Sequence, residues 1–170
     1  MSDIFGTRDN DILEGTTGDD SLYSLEGDDT LNGGNGKDTF YGGTGNDRLN
    51  GGAGNDSLFD TEGNNIFDGG AGNDTLFGGD GNDTYYVRDV YDYIYDTGGN
   101  DTAYVSVNFP KIPSRIENVI FTDGALALPY WIDALIEDEA SGSNFKTLLG
   151  ETKTWYYAFP STLPSYDTNL

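Results

Sequence analysis

A chain of 170 residues with 25 Gly and only 35% apolar residues has few large side chains to bury, so a hydrophobic core can supply only part of its stability. Thirty acidic residues against 8 basic ones give a net charge of −22, which disfavours nucleic acid and anionic membranes as partners and favours cations. Cys and His are absent, which removes disulfides, thiolate chemistry, imidazole acid–base catalysis and nearly every zinc site.

Along the chain, Met1 to Gly6 has neither a charged n-region nor an apolar h-region, so no ordinary signal peptide is expected. No apolar run approaches membrane-spanning length, and no membrane insertion is expected. From Gly6 a nine-residue period begins: GTRDNDILE, GTTGDDSLY, SLEGDDTLN, GGNGKDTFY, GGTGNDRLN, GGAGNDSLF, DTEGNNIFD, GGAGNDTLF and GGDGNDTYY, ending at Tyr86. The sixth position reads Asp11, Asp20, Asp29, Asp38, Asp47, Asp56, Asn65, Asp74 and Asp83. The eighth reads Leu13, Leu22, Leu31, Phe40, Leu49, Leu58, Phe67, Leu76 and Tyr85.

Each block divides into a glycine turn that needs backbone freedom and a short strand with one inward residue. Two blocks make a coil, so blocks n and n+2 stack about 4.8 Å apart, forming two parallel sheets with the eighth-position side chains between them. The predicted fold is therefore an all-β parallel roll. Sixth-position carboxylates stacked about 5 Å apart repel by roughly 0.8 kcal/mol in water, and by several times more near a protein surface. A dication between neighbouring turns converts that repulsion into coordination. Two carboxylates and several carbonyls give the six-to-eight-oxygen shell that calcium takes, so metal binding is expected to be coupled to folding. Strict register of the eighth position argues against a disordered acidic segment, and stacked acids suit a metal-free solenoid poorly. An EF-hand loop would need Glu at its twelfth position, which no segment here supplies.

The pattern G-G-x-G-x-D-x-U-x, unbroken at Gly33–Asp38, Gly42–Asp47, Gly51–Asp56, Gly69–Asp74 and Gly78–Asp83, resembles the nonapeptide of the repeats-in-toxin (RTX) family. The resemblance implies a parallel β-roll holding Ca²⁺ between turns n and n+2, ligated by both sixth-position Asp residues. It also implies carbonyl ligands from the first, third and fourth turn positions: Gly33, Asn35 and Gly36; Gly42, Thr44 and Gly45; Gly51, Ala53 and Gly54; Gly69, Ala71 and Gly72; and Gly78. Seven pairings arise, and five have Asp on both sides: 11 with 29, 20 with 38, 29 with 47, 38 with 56, and 56 with 74. Roughly five to seven ions are therefore expected. Asn65 is expected to leave its pairings with Asp47 and Asp83 weak or empty. The first three blocks lack the double glycine, so their ligand geometry is expected to depart from the rest.

After Tyr86 the period is read as failing, and the aromatic and β-branched run from Tyr85 to Asp96 predicts longer strands. Residues 98–108 with 116–121 resemble the closing segment that follows RTX repeats; Asp101 there is read either as a ligand of an edge calcium or as a loop acid. Pro129 opens a predicted amphipathic helix over Tyr130–Ala140, with a strand following. Ile132–Ile136, Leu148–Gly150 and Trp155–Pro160 resemble the start of a serralysin- or matrixin-like metalloprotease domain, which would place a catalytic region beyond Leu170; a helix and strand packed on the cap is the other reading. The Glu137–Glu139 run is read as a solvent-facing charge run.

The organisation expected is a calcium-binding roll over 1–87, a β cap over 88–124 and a helix–strand appendage over 125–170. No catalytic residue is expected in the chain. The resemblance further implies a monomeric, secreted bacterial module exported by the type I route, with its partner protein or polysaccharide unspecified. The alternatives are the non-catalytic N-terminal region of a secreted metalloprotease, or an adhesin or surface module.

Overall fold

The computed structural model describes residues 1–106, 112–113 and 116–122, and the backbone of 154–157. Its strands fall into two parallel sheets. One contains β1 (Ser2–Phe5), β3 (Asp20–Tyr23), β5 (Thr39–Tyr41), β7 (Ser57–Phe59), β9 (Thr75–Phe77) and β11 (Tyr93–Tyr95), in that order. The other contains β2 (Ile12–Glu14), β4 (Thr30–Asn35), β6 (Arg48–Ala53), β8 (Ile66–Ala71), β10 (Thr84–Val87), β12 (Thr102–Val105), β13 (Asn118–Phe121) and β14 (Thr154–Tyr157). The described residues contain no helix. The predicted helix over 130–140 lies outside them, as does the Glu137–Glu139 run. The strand predicted after the helix corresponds to β14, which pairs in parallel with β13.

Each strand pairs with the one two blocks away, as the nonapeptide period requires. Leu22 lies opposite Phe40, and Leu31 opposite Leu49. The core is consequently two facing columns. Leu13, Leu31, Leu49, Phe67, Tyr85, Ala103 and Val119 line one sheet; Ile4, Leu22, Phe40, Leu58, Leu76 and Ile94 line the other. From Leu22 to Tyr85 every eighth-position side chain is fully buried, at about 1.5–3 kcal/mol each. The ninth positions face outward. Those of the first sheet stack Tyr23, Tyr41, Phe59 and Phe77 into an aromatic ladder with ring centroids 4.7–5.5 Å apart.

The period does not fail at Val87. Tyr93–Tyr95 pair with Thr75–Phe77 and Thr102–Val105 with Thr84–Val87 in unchanged register, so two further blocks, 87–95 and 96–104, complete another coil. They carry Asp92 and Asp101 at the sixth position and Ile94 and Ala103 at the eighth. The strands of this region are three and four residues long, not the longer ones expected, because each spans a single side of the roll. The step changes only after β12, where Thr102 pairs with Asn118.

Turn glycines permit close stacking. Gly45 has φ +132°, and a Cβ there would run into the Gly27 carbonyl below it. Block three, which lacks the double glycine, makes the same turn by forcing Leu25 to φ +82°, the single non-glycine with positive φ among the described residues.

Candidate metal centre

The turns bring the sixth-position side chains into two vertical columns. In the first, the N–H groups of Asp11, Asp29, Asp47, Asn65 and Asp83 donate to the Oδ1 atoms of Asp29, Asp47, Asn65, Asp83 and Asp101, at 2.7–2.9 Å. The second runs from Ser2 through Asp20, Asp38, Asp56, Asp74 and Asp92, each N–H donating to the next Oδ1 at 2.8–3.1 Å. Glu117 closes the first column by accepting the Asp101 N–H on Oε2 at 2.8 Å. Asp92 closes the second, its Oδ2 accepting the N–H groups of Arg88 and Asp89 at 3.0 and 2.8 Å.

Each inner Asp therefore spends one oxygen on the backbone. Its other oxygen has no protein partner: the Oδ2 atoms of Asp29, Asp38, Asp47, Asp56, Asp74, Asp83 and Asp101 are buried and unpaired, as is that of Asp60. A buried anionic oxygen without a donor is costly. Burial pushes six of the sixth-position carboxyls up from the ordinary value, and neighbouring carboxylates add to it: Asp56 and Asp83 to about 6, Asp74 and Asp101 to about 7, with Asp38 and Asp47 also raised. Seven such oxygens repeated at one turn position are a donor set for a hard cation. Nitrogen and sulfur ligands are missing from it, which fits calcium and disfavours zinc.

The carbonyl positions surround these oxygens. A Cβ at Gly33, Gly51, Gly69 or Gly78 would collide with the Oδ2 of Asp38, Asp56, Asp74 or Asp83 of its own block, so the leading glycine is the space into which that oxygen turns. The third-position carbonyls of Thr44, Ala53 and Ala71 each accept an N–H, from Gly27, Gly36 and Gly54, at 2.8–2.9 Å, which leaves one lone pair on each. The Gly42 carbonyl accepts the Ser24 hydroxyl. At the fourth position Gly36, Gly45, Gly54 and Gly72 all have positive φ, and Asn35 ends β4 beside them.

Asp11 and Asp20 differ from the other acids. Thr7 donates its N–H and hydroxyl to Asp11 Oδ2 at 2.5 and 2.9 Å, and Thr16 does the same for Asp20 at 2.7 and 2.6 Å. The Thr16 hydroxyl is the main reason the Asp20 carboxyl falls to about 2. These two threonines stand at the second block position, which glycine holds in the unbroken copies, so the donors were visible in sequence as a Thr–x₃–Asp spacing. Asp101, left open between ligand and loop acid, is fully buried with an unpaired Oδ2. Asp92 was missed because its block, VRDVYDYIY, contains no glycine. Asp60 and Asp96 were missed because they occupy first positions, where glycine is the norm.

The fifth positions form a separate outer ladder running the other way. The N–H groups of Asp28, Asn46, Asn64, Asn82 and Asn100 donate to the side-chain oxygens of Asn10, Asp28, Asn46, Asn64 and Asn82 at 2.8–3.0 Å. These groups are exposed and serve to fix turn against turn.

A search of curated proteins finds no match to the chain. A family model described as the RTX calcium-binding nonapeptide repeat (4 copies) matches residues 5–40, 33–59 and 59–89, which together span half of the chain. With that match, an eighteen-residue coil and stacked sixth-position aspartates, the chain belongs to the RTX calcium-binding nonapeptide repeat family and is a calcium-binding β-roll.

Proposed function

We propose that the roll folds by binding calcium between turns two blocks apart, as the structural module of a secreted bacterial protein. The supporting observation is the set of buried, unpaired Oδ2 atoms at the sixth position. In the second column the ligands are Asp38, Asp56 and Asp74, and in the first Asp29, Asp47, Asp83 and Asp101, together with the turn carbonyls named above. Asp11 and Asp20, already satisfied by threonine, make weaker contributions to the pairings with Asp29 and Asp38. The ion supplies the positive charge that carboxylates in this arrangement otherwise lack. The calcium-free chain keeps its net charge of −22 and its like-charge columns, which favours the unfolded state. RTX repeats are typical of secreted bacterial proteins. Export of the unfolded chain by the type I route, followed by folding where calcium is abundant, fits an extracellular module with affinity near 10⁻⁴–10⁻³ M. The proposed role is binding and folding; no catalytic step is assigned.

Circular dichroism during a calcium titration tests this, with magnesium as control. The expected result is little ordered β-structure in chelator and a cooperative gain with calcium that magnesium does not reproduce. Asp47→Ala weakens that transition more than Asp80→Ala, since Asp80 is exposed at a variable turn position. Equal effects of the two substitutions count against the ligand assignment.

A further inference from the structure

Block seven lacks the sixth-position acid, yet its turn is not short of a carboxylate. Asn65 retains the backbone half of the role, its Oδ1 accepting the Asp47 N–H at 2.8 Å. Its other terminal atom is an amide nitrogen that donates to the Glu62 carbonyl at 3.3 Å, and such a nitrogen cannot ligate a cation. The same block opens with Asp60 where glycine is usual. Asp60 is 2% exposed; its Oδ1 accepts the Glu62 N–H at 3.3 Å and its Oδ2 is buried without a partner. The Oδ2 atoms of Asp60 and Asp47, both unpaired, lie 2.0 and 2.8 Å from the place a Cβ on Gly42 would occupy, which puts them within about 4.8 Å of each other. Both oxygens press on the Cα of Gly42, where a Cβ would collide with them. Side chain and cradle therefore meet at the rung that Asn65 leaves short of charge.

The arrangement recurs two coils later. Block eleven opens with Asp96, whose Oδ1 accepts the Gly98 N–H at 3.0 Å in the same two-residue turn. Its Oδ2 and that of Asp83 crowd Gly78 as those of Asp60 and Asp47 crowd Gly42. Asp83, Asp96 and Asp101, all buried, each place a carboxylate oxygen within 4.8 Å of the others. One feature separates the two sites: the Tyr85 hydroxyl donates to Asp96 Oδ2, whereas Asp60 Oδ2 has no protein donor.

We infer that Asp60 and Asp96 are calcium ligands from the first block position: Asp60 restores the Asp47 rung disabled by Asn65, and Asp96 adds a third carboxylate to the Asp83–Asp101 rung. The inference rests on the calcium reading of the sixth-position columns. Two carboxylates this close could instead share one proton, so the test separates a bound cation from a bound proton.

Native mass spectrometry of the full chain in calcium, with calorimetric calcium titration, provides the readout. Asp60→Asn is compared with Asp56→Asn, a sixth-position reference, and with Asp80→Asn, an exposed control. The expected result for Asp60→Asn is one fewer ion, or one site weakened about tenfold or more, with Asp80→Asn unchanged. Adding Asn65→Asp to Asp60→Asn returns the lost ion by moving the carboxylate back to the sixth position. Should Asp60→Asn fail to fold in calcium, the double variant is expected to fold, and its failure to do so overturns the inference. Asp96→Asn weakens one site and keeps the ion count, because Asp83 and Asp101 remain. Asp60→Asn with undiminished count and affinity, while Asp56→Asn loses an ion, overturns the inference and leaves a shared proton. If Asp56→Asn also loses nothing, the calcium reading itself fails and the inference falls with it.

Discussion

Asp56→Asn isolates the metal contribution of one rung. Asp56 stands between Asp38 and Asp74 in the second column, and its Oδ1 accepts the Asp38 N–H at 2.8 Å. Asparagine can keep that bond, as Asn65 does for Asp47, so what is lost is the charge on Oδ2, which serves the pairings on both sides. A tenfold weaker affinity at each of two sites removes about 1.4 kcal/mol per site in saturating calcium, or about 3 kcal/mol together. For a chain of this length that is a fall of about 6–12 °C in Tm. As free calcium is lowered towards the dissociation constant the difference shrinks, because site occupancy then contributes little in either protein. Thermal melts followed by circular dichroism, at saturating and at limiting calcium, measure both. An equal fall in the two conditions, or none in calcium, refutes the reasoning. Asp56→Ala also removes the acceptor of a buried N–H and is expected to cost a further 1–3 kcal/mol or so in either condition.

Leu25→Gly relieves the left-handed backbone of block three and is expected to stabilise the calcium-loaded roll by about 1 kcal/mol in urea melts; a loss of stability contradicts it. Thr16→Val strips two-point support from Asp20 to a single N–H, and is expected to destabilise by about 1.5–3 kcal/mol. The N-terminal coil should then show faster amide exchange than the middle coils. Leu49→Ala empties a fully buried core position between Leu31 and Phe67, at an expected cost of about 2–5 kcal/mol by chemical denaturation. With metal removed, the folded carboxyls of Asp56, Asp74, Asp83 and Asp101 sit at about 6–7 against an ordinary 3.8, so the folded chain holds more protons than the unfolded one between about pH 4 and 7. The folded population of the calcium-free chain, small at neutral pH, is therefore expected to shrink as pH rises through that window, while calcium affinity increases as competing protons leave. Circular dichroism in chelator across the window checks the first part, and β-structure that grows with pH contradicts it.

Register was the most legible property of this sequence, because inward residues at every eighth position leave only one way to pair strands two blocks apart. Leu22 opposite Phe40 and Leu31 opposite Leu49 follow from counting alone. The end of the roll was misjudged for a physical reason: glycine advertises a turn, but the sheet needs only the sixth and eighth positions. VRDVYDYIY therefore pairs in register without a glycine. The unequal state of the acids was less legible. Asp20 and Asp38 look alike in sequence, yet Thr16 satisfies one of them while the other keeps a bare oxygen. Asp60 shows the limit most clearly, since a carboxylate at a glycine position reads as a degraded repeat until the stacking places it beside Asp47. The protease-like stretches that begin at Ile132 lie outside the described residues, apart from the backbone of 154–157.

Calcium anomalous diffraction from crystals grown in saturating calcium shows directly where the cation sits. Discrete peaks are expected between the carboxylates of Asp38 and Asp56 and of Asp56 and Asp74, with Oδ2 atoms and turn carbonyls in the coordination shell. Ordered turns without a peak at those positions would contradict that placement.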